Sequence, residues 1–366
     1  MAEAVVAGHL CLDIIPDLSS MAPGQFDASF LPGRLTQSGP ARLSTGGAVS
    51  NTGIALHRLG IDTRLIARTG KDILGTALQQ CVEQQGKGLA EGLISREESA
   101  TSYSVVISPP DVDRRFLHHP GANDDFLSGD VSDSALTGAR LLHFGYPPLM
   151  AGMYANDGAE LRSLMQRAKT MGLTTSLDMA YPDPDSPAGR ADWQAILRNV
   201  LPYVDIFVPS FDEISFMLWK KTNSPLSKEA LMEISRVLLE MGAKLVLLKL
   251  GSRGLFLRTA GQSSLAGMGA AFRGNPDDWA DFCAWLPCFK VNVAGTTGAG
   301  DVTVAGFLSA VLRDLAPLDA MKAALGVGAC CVEATDAVSG IRGWDETLHR
   351  IRTGWDVHAE PEQFIS

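Results

Sequence analysis

The chain has 366 residues, 46% of them hydrophobic and 20% charged, the make-up of a soluble globular protein with ample material for a core. A formal net charge of −10 with no long basic run excludes general nucleic-acid binding. No apolar run approaches the roughly 18 residues a membrane span needs.

The N-terminus has no basic segment before its first apolar stretch, so no secretory signal is expected. Cys11, Cys81, Cys283, Cys288, Cys330 and Cys331 are scattered and read as reduced thiols of a cytoplasmic protein. Cys283 and Cys288 lack the second ligand pair that a metal site requires.

In chain order, Ala4–Ala7 is a buried strand ending at Gly8. Residues 18–42 are rich in Pro, Gly and Ser and are expected to be irregular or to form edge strands. Gly46-Gly47 leads into a helix over Val49–Leu59, followed by a strand at Thr63–Ala67 and a helix over Leu74–Gln85. Tyr103–Ser108 and Arg115–His118 flank Pro109-Pro110-Asp111 and predict a strand pair joined by a turn. Strands follow at Leu141–Phe144, Thr174–Asp178, Ile206–Pro209 and Lys244–Lys249, with helices over Gly158–Met171 and Lys228–Met241. Leu255–Arg258 is a hairpin partner reached through Gly251-Ser252-Arg253-Gly254. Residues 260–290, with Trp279, Trp285 and several glycines, break the rhythm and read as an insertion outside the core. The alternation predicts one α/β domain over 1–366, a mostly parallel central sheet with helices on both faces.

The strongest local signal is Gly295-Thr296-Thr297-Gly298-Ala299-Gly300-Asp301, followed by a long apolar helix from about Val302. Small residues let a bulky anion approach the backbone, and the helix start offers unpaired N–H groups at a positive dipole end. Such a turn suits charge on a transferring phosphoryl group. Asp301 serves there as a helix cap or as a proton acceptor, and the turn alone does not separate the two. The string is not a Walker loop, and no G-x-G-x-x-G follows a strand.

Taken in order, Gly8 with Asp13, Gly46-Gly47 with Asn51, Gly121-Ala122-Asn123, Glu213, Gly251 with Gly254, and Thr297–Asp301 resemble the ribokinase-like (PfkB) carbohydrate kinase family over about residues 4–340. The resemblance implies a ribokinase-like fold with a small β-lid, from about 11–38 and 101–120, and a homodimer. It implies ATP and Mg²⁺ as cofactors and a sugar as substrate. Asp13, Gly46, Gly47, Asn51 and Asn123 then fall on the sugar side. Asp301 becomes the base, beside an anion hole made by Gly298, Ala299 and Gly300. Glu213 organises Mg²⁺, while Ser210, Lys249, Gly251, Gly254 and Thr296 lie toward the nucleotide.

Departures from the family pattern are visible. Ser210 replaces the usual Asn of the glutamate motif. Gly295 stands in place of an acid associated with a monovalent cation, which leaves potassium activation open. Lys249 replaces a common Thr and either contacts a phosphate or merely snorkels. Of His118 and His119, strand alternation lets at most one face the sugar. Asp178 closes a strand at the crevice position, and Asp183 stands in the stretch where an Arg is expected. Two rivals follow: a nucleoside kinase of the same fold, with Tyr103, Phe116 and Phe126 as stacking candidates, and a catalytically silent sugar- or nucleotide-binding sensor, suggested by Ser210 and Gly295.

Overall fold

The first apolar run forms β1 (Ala4–Gly8), and its side chains divide by parity between two cores. Ala4 and Val6 enter one, Val5 and Ala7 the other. Successive strand residues point to opposite faces, so a strand apolar at every position must be covered on both sides. The same division recurs far along the chain, where Leu245 and Leu247 enter the first core and Val246 and Leu248 the second. Residues 2–22, 24–29, 31–110 and 115–359 are described in this computed structural model.

The further strands are β2 (Cys11–Asp17), β3 (Gly39–Gly46), β4 (Thr63–Gly70), β5 (Leu93–Arg96), β6 (Tyr103–Ile107), β7 (Arg115–His119), β8 (Leu141–Gly145), β9 (Thr174–Asp178), β10 (Ile206–Phe207), β11 (Leu245–Lys249), β12 (Leu255–Thr259) and β13 (Cys283–Leu286). Nine of them form the central sheet in the order β13-β12-β11-β10-β9-β8-β1-β4-β5. Pairing is parallel from β5 through to β11 and antiparallel for β12 and β13. Helices Ala48–Arg58, Ala299–Leu312 and Pro317–Cys331 cover the first face; Ala151–Thr170, Trp193–Val200 and Lys228–Glu240 cover the second. No described helix is long and apolar enough to cross a membrane.

The second sheet, β3-β2-β6-β7, is the small lid. Its strand β3 lies at 39–46, past the expected lid boundary of 38. The Pro- and Gly-rich residues before it carry no alternation from which a strand could be read. The turn expected at Pro109-Pro110-Asp111 falls partly outside the described residues. The helix predicted from Gly158 belongs to Ala151–Thr170, which is interrupted at Ala155–Gly158, where Asn156, Asp157 and Gly158 have positive φ.

Residues 260–290 are not peripheral. They supply β13, which pairs with β12, and Trp279, which is 2% exposed and meets Phe272 and Phe307 edge-on at 5.4 and 6.1 Å between ring centroids. Short elements separated by glycines hid this contribution to the core. Trp279→Ala is therefore expected to cost about 3–5 kcal/mol in a denaturant titration, as for a large side chain deleted from a core. A loss within about 0.5 kcal/mol, the level of a surface change, would show the stretch to be dispensable to the core.

Candidate active site

From β1 the chain steps to β4 and β5 on one side of the sheet; from β8 it steps to β9, β10 and β11 on the other. Open α/β sheets bind ligands beyond the C-terminal strand ends at such a switch point. Here those ends are Gly8-His9 and Gly145-Tyr146. Gly8 has φ +129, and a Cβ on it would overlap the Gly145 carbonyl oxygen, so a side chain at this position would force the two strand ends apart.

Tyr146 leaves β8 in the left-handed region, at φ 68 and ψ 42. Its hydroxyl donates to both carboxylate oxygens of Asp301, at 2.8 Å each. Helix Ala299–Leu312 begins at Gly298, also left-handed at φ 71, with no side-chain cap. Asp301 is the third residue of that helix, which removes the simple cap as its role. Its carboxylate instead accepts from Tyr146 and from Asn51 Nδ2 at 3.0 Å. Within the expected anion turn the Ala299 N–H is engaged with the Thr296 carbonyl at 3.3 Å.

Below this turn lies a buried charge cluster. Lys249 Nζ donates to Asp178 Oδ1 at 2.6 Å, with the two side chains 11% and 0% exposed. Burial pushes the Asp178 carboxyl up to about 7, against the pull of the Lys249 ammonium. Burial likewise raises Asp301 and Glu213, again opposed by Lys249. Burial alone would lower Lys249, yet Asp178, Glu213 and Asp301 carry it above its ordinary value. The snorkelling reading of Lys249 is thereby removed. Tyr146 is held well above its ordinary value by burial and by Asp301, so it remains a donor.

Ser210 and Glu213 form a capping box on helix Phe211–Trp219. Ser210 Oγ accepts from the Glu213 N–H at 3.3 Å, and Glu213 Oε2 accepts from the Ser210 N–H at 2.6 Å. The Ser210 hydroxyl oxygen is committed to the helix, as is one oxygen of Glu213.

Two cavities flank the turn. A cleft of about 1000 Å³ is lined by Asp13, Gly46, Gly47, Asn51, Gly298 and Asp301 among others. A narrower, largely apolar cavity of about 360 Å³ is lined by Lys249, Gly251, Gly254, Phe289, Ala299 and Gly300 among others. Thr296 lines both. Gly46 and Gly47 are needed for space: a Cβ on Gly46 would lie 2.6 Å from Asp13 Oδ2, and one on Gly47 2.5 Å from His9 Nδ1. Gly295 is also tight, since a Cβ there would lie 3.0 Å from the Ala334 carbonyl oxygen.

One expected residue is not brought to the cleft. The Asn123 amide is fully buried and bonds the backbone of Leu10, accepting from its N–H at 3.2 Å and donating to its carbonyl at 3.0 Å. His118 lines the cleft, whereas His119 packs on Tyr103 at 5.6 Å, as alternation requires. Of the stacking candidates only Phe116 reaches the cleft; Phe126 is buried against Phe144. Sequence reasoning missed Tyr146 and His9. Both follow a strand-ending glycine, and the crevice rule applied to β1 and β8 would have found them.

The fold is ribokinase-like, and the family the sequence matches makes the chain a phosphotransferase. The chain belongs to the pfkB family of carbohydrate kinases, whose sequence pattern matches residues 1–342. It is similar to fructokinase-2 of Oryza sativa subsp. japonica, 24% identical over 343 residues that cover 91% of this chain and 89% of the relative. Among solved structures, Arabidopsis thaliana ribokinase complexed with ribose and ATP matches with a TM-score of 0.71 at 19% identity, covering 95% of this chain and 98% of that one. Fructokinase with bound ATP from Xylella fastidiosa matches with a TM-score of 0.72 at 18% identity, covering 96% and 99%.

Removing Lys249 leaves its carboxylates without their cation. Lys249→Met is expected to destabilise the fold by about 3–5 kcal/mol at pH 8, the scale for breaking a buried pair. Asp178 already has a raised value, and loss of the ammonium raises it further. Its charged form is then the penalised one, so the deficit should shrink as pH falls from 8 to 6. Denaturant titrations of both proteins at the two pH values measure this.

Proposed function

We propose that the protein transfers the γ-phosphate of ATP to a hydroxyl of a sugar, with Asp301 as the general base. The observation that carries this reading is the position of the 296–301 turn between the two cavities. Asp301 lines the acidic cleft, while Ala299 and Gly300 line the largely apolar cavity. A base on one side and helix-start amides on the other are the parts that phosphoryl transfer to an alcohol requires.

Asp301 accepts the acceptor's hydroxyl proton as attack begins. Tyr146 and Asn51 hold its carboxylate from two different segments, so its direction is fixed before substrate arrives. Gly298 and Gly300 let the phosphates approach the backbone, and Lys249 adds fixed positive charge beneath them. Among the described residues no three His, Cys, Asp or Glu side chains gather into a metal cage. Buried Asp178 Oδ2 has no hydrogen-bond partner, and the charge of Glu213 helps raise the Asp178 carboxyl. This donor set fits a Mg²⁺ held mainly by phosphate oxygens and water. When bound, Mg²⁺ would neutralise charge on the phosphates. Closure of the β-lid over the cleft would exclude water that otherwise hydrolyses ATP.

An ADP-release screen over pentoses, hexoses, keto-sugar acids and nucleosides tests the activity. Turnover confined to nucleosides would replace the sugar reading, and tight sugar binding with no turnover would favour a silent sensor. On the acceptor so found, Asp301→Asn is expected to lower turnover at least about 10²-fold with sugar binding kept. Near-normal turnover would remove Asp301 from the chemistry.

Tyr146→Phe tests the positioning of the base. The hydroxyl stabilises the ionised carboxylate, so its loss raises the Asp301 value. The base is active when deprotonated. The acid limb of the pH–turnover profile should therefore move to higher pH, with a greater loss near pH 6 than near pH 8. An unmoved limb would mean that the contact does not tune the base.

A further inference from the structure

His9 follows Gly8 at the end of β1 and is 2% exposed. Both of its ring nitrogens are buried with no hydrogen-bond partner. The ring lines the acceptor cleft, 5.4 Å from the ring of His118 and 6.1 Å from that of Tyr146. Buried polar side chains in native proteins are nearly all paired, so an imidazole with two orphaned nitrogens on a cavity wall calls for a ligand. A second orphan lines the same cleft. Asn51 spends its Nδ2 on Asp301, and its Oδ1 is buried without a partner.

The chemistry of these orphans is selective. Burial, with the nearby charge of His118, pulls His9 down to about 3, so its ring is neutral. A neutral imidazole offers one donor and one acceptor, and the Asn51 oxygen only accepts. A hydroxyl can both donate and accept, whereas a carboxylate or phosphate can only accept. The charge of the cleft points the same way. Its described lining includes Asp13, Asp124, Asp183 and Asp301 but no Lys or Arg. The lysine of the site, Lys249, lines the other cavity.

We propose that the acceptor is an uncharged polyhydroxylated sugar, one hydroxyl of which is bound by the imidazole of His9. The proposal rests on the kinase reading for the word acceptor, but its claim concerns what the cleft binds. His9 is thus a specificity residue. Its place at the switch point sets it on the strand end next to Tyr146, whose hydroxyl holds Asp301. A sugar acid or sugar phosphate would set a second anion against four carboxylates, with no Lys or Arg in the described lining to offset it.

Isothermal titration calorimetry on the full chain tests this with paired probes. D-fructose, D-ribose and D-mannitol are the neutral members; D-gluconate and D-fructose 6-phosphate are the charged ones. At least one neutral probe should bind, with the charged probes weaker by about tenfold or more, since setting like charges together costs on that scale or above. His9→Ala should weaken the neutral probe by about tenfold while leaving ATP binding unchanged, and His9→Asn, which keeps a donor and an acceptor, should recover part of the loss. Equal or tighter binding of a charged probe, binding of no neutral probe, or unchanged affinity in a folded His9→Ala would overturn the proposal. The probe comparison needs no variant, so it stands even if His9→Ala fails to fold. ADP release measured on the same probes separates the two ideas. Selective neutral binding without ADP release would overturn the kinase reading and support this one. ADP release on a charged probe would do the reverse.

Discussion

A lysine ammonium buried among three carboxylates is the constraint around which this site is arranged. Asp178 ends β9, Glu213 opens helix Phe211–Trp219, and Asp301 lies in the first turn of helix Ala299–Leu312. Each is raised by burial and steadied by Lys249 at the end of β11. Charges so placed tolerate little movement, because the attraction repays desolvation only when the geometry is held. The parallel sheet supplies that rigidity. The Lys249 N–H bonds the Pro209 carbonyl at 3.0 Å, and Lys249 bridges to Ser210, so the exits of β10 and β11 are tied together where the cluster forms.

The two cavities divide the work by charge. The cavity proposed for the nucleotide is largely apolar and has Lys249 in its lining. The cleft proposed for the acceptor is acidic, with Asp301 in its lining. Thr296 and the turn after it are shared, so an anion can enter from one side and a hydroxyl from the other. Such an arrangement brings two reactants together without mixing the environments that bind them.

Much of the fold was legible in the sequence because strands such as β1 and β11 are short apolar runs and the helices are periodic. Asp301 stood out only through the ordered set of motifs around it, because a Gly-rich turn before a helix is common and alone does not separate a cap from a proton acceptor. What escaped depends on contacts between distant residues. Asn123 looked like a polar group near the substrate, but its amide is consumed by the backbone of Leu10, 113 residues away. Lys249 was readable as a snorkelling lysine until the sheet placed it on Asp178, 71 residues earlier. Ser210 was weighed as a ligand, and the capping box with Glu213 uses its oxygen first. β13 was hidden because four residues just before Pro287 carry too little pattern to mark a strand.

Tyr146 has a consequence for how this sequence can drift. Left-handed backbone favours glycine, and among other residues asparagine, aspartate and histidine tolerate it best. Each of those replacements would ease the backbone at the mouth of β8 and remove the phenol that reaches Asp301. Phenylalanine would keep the ring and the backbone cost but lose the bond, and a β-branched residue would lose the bond and raise the cost. Position 146 is therefore held by two opposed selections, one conformational and one chemical, with no neutral neighbour one substitution away. Lineages that keep Asp301 buried can be expected to keep this tyrosine, or to change it together with residue 51.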